Sequence, residues 1–396
     1  MAERECPADF SPHIRGSAGG GPDDLGLVMG GGGARAAYQV GFLRALAEWY
    51  PDLRVPYITG VSAGAINAVQ LAAHHGSFCQ AVGELSHLWS RLRVEDVFRV
   101  GPTSLASIGL RWVLRLVLGG HRPTPEIRGL VDTEPLRAFL CEALHAVDGE
   151  ITGIRYNLEM GHLRAVALST SSYSTGQSVT WVQGADIQEW ERPQRRSENA
   201  DLTVDHVMAS AALPLFFPAV RLENEWFGDG GIRLAAPLSP ALHLGAGRIL
   251  AVSTRYDRTR AEADRPTVPG YPPPAQIMGV LMNSIFLDLL DQDALRLERL
   301  NELLERLPED RRNGMRPVRL MVMRPSTDLG RMASRYEPQL PPVFRFLTRG
   351  LGTRDTESPD FLSLILFQPD YLQALMDCGE SDARRREDEI RRFIED

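Results

Sequence analysis

Ser62 stands in Gly60-Val61-Ser62-Ala63-Gly64, a Gly-x-Ser-x-Gly run that follows an apolar stretch and opens a helical one. That is the setting of a nucleophile elbow. A sharp strand-to-helix turn holds a serine hydroxyl outward, and small neighbours let the turn pack. The chemistry suggested is acyl transfer. A serine hydroxyl needs a base to become a useful nucleophile, and the oxyanion it creates needs preorganised donors.

Bare backbone lies upstream. Residues 30–36 read GGGGARA, again between a strand-like and a helix-like run. Four consecutive glycines cost conformational entropy and bury nothing, so exposed amides are the reason to look for. Three chemistries use such a turn. A P-loop ends in Gly-Lys-Ser/Thr, whereas Ala34-Arg35-Ala36 follows here and all 43 basic residues are arginine. A dinucleotide fingerprint fits loosely as Gly31-x-Gly33-x-x-Ala36. The second strand, however, ends Ile58-Thr59-Gly60, without the acidic residue that holds a ribose, and Glu48 and Asp52 precede that strand. An oxyanion hole uses the amides at a helix start. Adjacent parallel strands would set it beside Ser62 at one edge of a sheet.

Two kinds of base remain open. Of the nine histidines, His243 precedes a core strand and reads as a packed or capping residue. His74 and His75 end the helix that Ser62 begins, roughly 16 Å away at 1.5 Å per residue. The carboxylate candidate is Asp229 in FGDGGIRLAAP (227–237). In isolation Asp-Gly-Gly reads as a turn.

The elements that must position these groups follow from periodicity. LGLVMG (25–30) and VPYITG (55–60) read as strands. Tyr38, Phe42, Leu43, Leu46 and Trp49 fall at helical spacing, and 63–75 forms a second helix. Strand–helix–strand–helix order predicts an α/β fold with a mainly parallel sheet and right-handed crossovers. Further on, 162–172 and 177–184 read as paired strands, and 247–254 and 318–326 as buried strands. Helices are expected over 132–145, capped by Asp132 or Thr133, over the segment stopped by Pro214, over 286–307 and over 381–394. The 286–307 helix is expected to pack on the sheet, a homo-oligomer seam being the alternative. Five prolines make 261–274 a loop, and 336–342 is also Pro-rich.

Composition excludes several functions. The chain has 396 residues, 43% of them hydrophobic, and a net charge of -8. No basic run suggests nucleic acid. Without lysine there is no Schiff-base or P-loop lysine. Cys6, Cys79, Cys141 and Cys378 form no CxxC, so neither disulfides nor zinc are expected, and a reducing, cytoplasmic setting follows. The N-terminus lacks a signal-peptide core, and residues 1–24 read as a disordered tail. No stretch of about 18 apolar residues occurs. The nearest, 105–120, is broken by Arg111 and Arg115 and reads as a buried or interfacial helix, the basis for expecting peripheral membrane contact. Leu213, Leu215, Phe216 and Phe217 are candidates for an acyl channel, with core packing an equal alternative.

Four motifs in order, GGGARAAYQVG (31–41), GVSAGAINA (60–68), ASAALPLFFPAV (209–220) and DGG (229–231), make the chain resemble the patatin-like phospholipases. The resemblance spans residues 25–255. It implies a three-layer α/β/α fold over 25–326, with a mostly helical extension, 327–396, packed on it. It implies a Ser-Asp dyad without histidine: Ser62 as nucleophile in an elbow flanked by Gly60 and Gly64, Asp229 as base, and Gly31, Gly32, Gly33 and Arg35 as the oxyanion loop. Arg35 could anchor a phosphate head group, but the expectation is that it braces the loop or is simply solvated. Ala36 departs from the family's usual glycine. The implied activity is lipid acyl ester hydrolysis, with a phospholipid or other acyl-ester substrate and neither metal nor cofactor. Alternatives are an acyltransferase or thioesterase on the same scaffold, or a ligand-binding protein impaired in catalysis.

Overall fold

The computed structural model describes residues 21, 24–99, 129–264, 268 and 270–396. The expected tail 1–24, apart from residues 21 and 24, and the apolar stretch 105–120 lie outside them.

Among the described residues, ten strands form one mixed sheet: β1 Leu25–Met29, β2 Tyr57–Val61, β3 Ala165–Ser172, β4 Ser178–Gly184, β5 Glu191–Arg192, β6 Arg195–Asn199, β7 Val220–Leu222, β8 Glu225–Asp229, β9 Arg248–Val252 and β10 Arg319–Met323. The order is β10-β9-β1-β2-β3-β4-β6-β5, with β8 also on β3 and β7 on β8. From β10 to β3 every pairing is parallel. Successive side chains of a strand face opposite ways, and a parallel strand covered on both sides is apolar throughout. Accordingly Leu27 and Met29, Leu250 and Val252, and Met321 and Met323 join one core. Val28, Ile249, Ala251 and Val322 join the other. Helices cover both faces, giving three layers.

The large core lies under α1 (Ala37–Trp49), α2 (Ala63–Ala73) and α3 (Phe78–Arg91). The helix Pro369–Arg385 runs along α1 and buries Tyr371, Leu372, Leu375 and Met376. The two backbones nearly touch. A Cβ on Gly41 would stand 1.8 Å from the Met376 carbonyl oxygen, and one on Gly379 2.1 Å from that of Tyr38. Residues near the C-terminus thus share the first helix's core.

Some elements differ from the sequence-based expectation. The helix expected over 286–307 is Asp288–Glu305, preceded by a separate helix, Pro274–Phe286. The break is at Leu287, which is buried and closes the first helix on Asn283. The charged C-terminal helix is two, Pro369–Arg385 and Glu387–Glu395, the first started by a proline in its first turn.

One edge of β3 brings two strand ends together. β4 occupies the other edge. On this one, β2 runs parallel to β3 and stops with Val61 opposite Ser169. β8 arrives antiparallel and stops with Asp229 opposite Thr170. Ser169 and Thr170 are consecutive, so β2 and β8 meet end to end.

Candidate active site

Ser62 takes the first position past β2. Its φ of 57° and ψ of −134° lie outside the regions a β-carbon favours, the strained geometry of a tight elbow. Its amide donates to the Ser210 hydroxyl at 3.1 Å, which donates to the Ser169 carbonyl at 2.8 Å. Gly64 allows the next helical turn to press on β1: a Cβ there would stand 2.3 Å from the Met29 carbonyl oxygen.

Asp229 ends β8 and is fully buried. Its backbone is fixed by its N–H, which donates to the Ala212 carbonyl, and by the Ser171 hydroxyl, which donates to its own carbonyl. Oδ1 accepts the Gly231 amide at 2.9 Å. Oδ2 is buried and, among the described residues, has no formed hydrogen bond. Burial pushes this carboxyl up to about 7, against the opposing pull of the neighbouring Ser62 hydroxyl and the Gly231 amide. Ser62 is therefore close enough to act on the carboxylate, yet the pair falls short of a closed hydrogen bond, as is common in unliganded sites.

The glycine loop lies against Ser62. A Cβ on Gly31 would be 3.1 Å from that of Ser62. Three successive carbonyls are tied inward. Gln39 Nε2 donates to Gly30 O at 2.7 Å, Thr254 Oγ1 to Gly31 O at 2.6 Å, and the Arg35 amide to Gly32 O at 3.1 Å. In a planar trans peptide the following N–H points opposite to the carbonyl. The amides of Gly31, Gly32 and Gly33 therefore face away from those anchors. Gly32 and Gly33 have φ of 143° and 55°, values that favour glycine.

Arg35 does not join these donors, which corrects the sequence-based grouping. Its amide is spent on Gly32, and its guanidinium, 3% exposed, is paired with Asp360. Ala36 is buried where the 3-10 turn Gly33–Ala36 meets α1, so its methyl faces packed protein.

An apolar cavity has Gly32, Gly33 and Ser62 on its wall. The rest is apolar apart from Gln70 and the Trp89 indole, with Ile66, Leu85, Phe98, Leu140, Leu213, Phe217 and Phe286 among the lining. Of the four expected channel residues, Leu213 and Phe217 line it. Phe216 stacks edge-on to Phe98, and Leu215 faces solvent. None of the described histidines lines the cavity. His243 stacks on Trp190 at 4.7 Å, and His206 caps its helix through Thr203 and packs on Trp181. Burial pulls both imidazoles down to about 4.

The sequence model described as Patatin-like phospholipase matches residues 27–242, more than half of the chain, with Ser62, Asp229 and the glycine loop inside the match. The chain belongs to the patatin-like phospholipase family. Among solved structures, VipD from Legionella pneumophila is 14% identical over 90% of this chain and 67% of its own, with a TM-score of 0.37. Human GIVD cytosolic phospholipase A2 is 12% identical over 98% of this chain and 64% of its own, at 0.46. The type III effector ExoU of Pseudomonas aeruginosa is 15% identical over 93% and 54%, at 0.34. The chain thus spans about two thirds or less of these proteins, and at such scores neither substrate nor partner carries over from them. No curated protein sequence matches the chain significantly. Family membership comes with a long unmatched C-terminal part, residues 243–396, which includes β9, β10 and the helix on α1.

Ser210, Gln39 and Thr254 escaped the sequence reading. Ser210 and Gln39 lie inside quoted motifs, but nothing local marks them as anchors: Ser210 and Thr254 act on residues 148 and 223 positions away, and Gln39 reaches back nine residues to Gly30 with no periodic pattern to show it.

Proposed function

We propose that this chain is a serine lipid acyl hydrolase, with Ser62 as nucleophile, Asp229 as base and the amides of Gly31, Gly32 and Gly33 as the oxyanion hole. The observation that carries the reading is the Asp229 carboxyl, fully buried beside Ser62 with Oδ2 unpartnered among the described residues and its pKa pushed up to about 7. An ion-pairing or structural aspartate would have its lone pairs satisfied and its pKa lowered. This one is poised to accept a proton near neutrality.

In the proposed reaction an acyl chain enters the apolar cavity and its ester carbonyl lies over the glycine turn. Asp229 Oδ2 takes the Ser62 proton as Oγ bonds to the carbonyl carbon. The oxyanion is held by the glycine amides, each worth about 3 kcal/mol. The ester C–O bond breaks, the alcohol leaves with the proton from Asp229, and an acyl-Ser62 remains. Water then gives a proton to Asp229 and its oxygen to the acyl carbon. Collapse frees the fatty acid and returns the proton to Oγ.

Peripheral lipid contact belongs to the same reading. The helix Pro274–Phe286 has no charged residue and exposes Ile277, Met278, Val280 and Leu281, beside Tyr271 at 92% exposure. Its last residue, Phe286, lines the cavity. Among the described residues no helix is long and apolar enough to cross a membrane.

A fluorophosphonate probe should label Ser62 and block hydrolysis of phospholipids and p-nitrophenyl esters. Ser62→Ala and Asp229→Asn should lose activity, while His243→Ala and His206→Ala should keep most of it. Full activity in a folded Asp229→Asn protein would remove the proposed base.

A further inference from the structure

Arg35 belongs to the turn that carries the Gly31–Gly33 amides, but its side chain leaves that turn. Nη2 bonds to Asp360 Oδ1 at 2.6 Å and to the Asp360 carbonyl at 3.4 Å, and Nε donates to the Ser363 hydroxyl at 2.7 Å. That hydroxyl donates in turn to the Asp360 carbonyl at 2.5 Å. The other carboxylate oxygen of Asp360 accepts from Asn283 Nδ2 at 2.8 Å and faces Arg258 at 3.7 Å. The backbones also meet: a Cβ on Gly33 would stand 2.1 Å from the Leu364 carbonyl oxygen. Leu364 lines the same cavity as Gly33 and Ser62.

All of these partners lie in the helix Asp360–Ile365 or near it, outside the matched residues 27–242. A buried guanidinium is costly to desolvate unless its planar fork is filled, and here it is filled by a carboxylate, a carbonyl and a hydroxyl. The fork also fixes direction. Arg35's own amide holds the Gly32 carbonyl, and that bond sets the orientation of the Gly33 amide.

We propose that Asp360 and Ser363 are positioning residues that act through Arg35 to hold the Gly31–Gly33 amides at the pitch the reaction needs, making the C-terminal segment part of the reaction machinery. The inference rests on the oxyanion-hole reading of those glycines. Without the anchor, the Gly32–Arg35 turn loosens and the donors drift from the developing oxyanion, while the apolar substrate cavity keeps its shape.

The test uses the full chain carrying Asp360→Asn, Ser363→Ala, Arg35→Gln and the Arg35→Gln/Asp360→Asn double change. Three quantities are measured: the rate of fluorophosphonate labelling at Ser62, kcat and KM on a p-nitrophenyl ester, and amide hydrogen exchange across residues 30–37. Asp360→Asn should lower labelling and kcat by about 10- to 100-fold, less than or comparable to losing one donor outright, with KM nearly unchanged. Exchange at 30–37 should quicken while the central strands stay protected. Ser363→Ala should move every readout the same way by less, and the double change should be no worse than its worse single. Ser363→Ala leaves all charges in place, so it carries the test if Asp360→Asn fails to fold. Folded variants with wild-type labelling, kcat and loop exchange would overturn the proposal. If the wild-type protein is neither labelled nor active, the catalytic reading itself fails, and unchanged loop exchange in the variants would then reject the clamp separately.

Discussion

At the scale of single residues the decisive group is Asp229. Its pKa, about 7 in the fold against 3.8 for the free side chain, has consequences for both rate and stability. As the proposed base, Asp229 must be ionised, so kcat/KM should climb with pH and level off above about 7. Stability should run the other way. Between 3.8 and 7 the folded state keeps a proton that the unfolded chain has lost. This residue's contribution is therefore complete below 3.8 and is lost as pH rises through 7. At pH 8 its burial as an anion costs on the order of 4 kcal/mol. Asp229→Asn should thus abolish activity yet stabilise the protein at pH 8, with the gain gone at pH 4, as read from urea unfolding at the two pH values. Equal stability of the two proteins at pH 8 would contradict the burial argument. Ser62 and the glycine loop were legible because an elbow and a glycine run are local patterns. Asp229 was visible only through the family resemblance, since Asp-Gly-Gly alone reads as a turn. Ser210, Thr254 and Asp360 were not legible, because each acts on a residue 148, 223 and 325 positions away.

At the scale of elements, the site exists because β2 and β8 end head to head on one edge of β3. The early strands could be read from continuous apolar runs, the pattern of strands buried on both faces. The short β5 to β8 could not, since segments such as Glu191–Arg192 and Glu225–Asp229 are polar or glycine-bearing and owe their pairing to neighbours. The helix Pro369–Arg385 is charged along much of its length and hides a narrow apolar stripe meant for α1. Glycine substitutions separate packing from propensity. Gly83, in α3, has nothing near its missing Cβ, so Gly83→Ala should stabilise by about 0.5–1 kcal/mol through helix propensity alone. Gly41, in α1, has the Met376 carbonyl oxygen at 1.8 Å, so Gly41→Ala must force the two helices apart and should destabilise by about 1–3 kcal/mol. Thermal or urea unfolding of the two variants reads opposite signs. A neutral Gly41→Ala would mean that the contact between α1 and the C-terminal helix is loose.

At the scale of the whole molecule, the unmatched C-terminal part supplies a buried layer and also an exposed apolar face. Scattered exposed apolar residues are ordinary, but a charge-free helix turning four aliphatic or thioether side chains to solvent is not. Ile277, Met278, Val280 and Leu281 occupy neighbouring positions on one side of Pro274–Phe286, while Ala275 and Gly279 are buried on the other. Burying such a face at a lipid surface contributes roughly 25 cal/mol per Å² of apolar area removed from water, without any rearrangement of the helix. It would also bring Phe286, at the cavity wall, toward the source of acyl chains. Leu281 is 50% exposed, so Leu281→Asp should leave unfolding within about 0.5 kcal/mol of wild type. The same change puts an anion into the contact, and co-sedimentation with vesicles containing anionic lipid should fall by about tenfold or more, since an unpaired charge resists leaving water. Hydrolysis of a short, water-soluble ester should be unchanged, because that substrate reaches Ser62 without the surface. Vesicle binding that survives both Leu281→Asp and Val280→Asp would assign lipid contact to some other face. A matching loss on the soluble ester would instead show that the helix shapes the cavity itself.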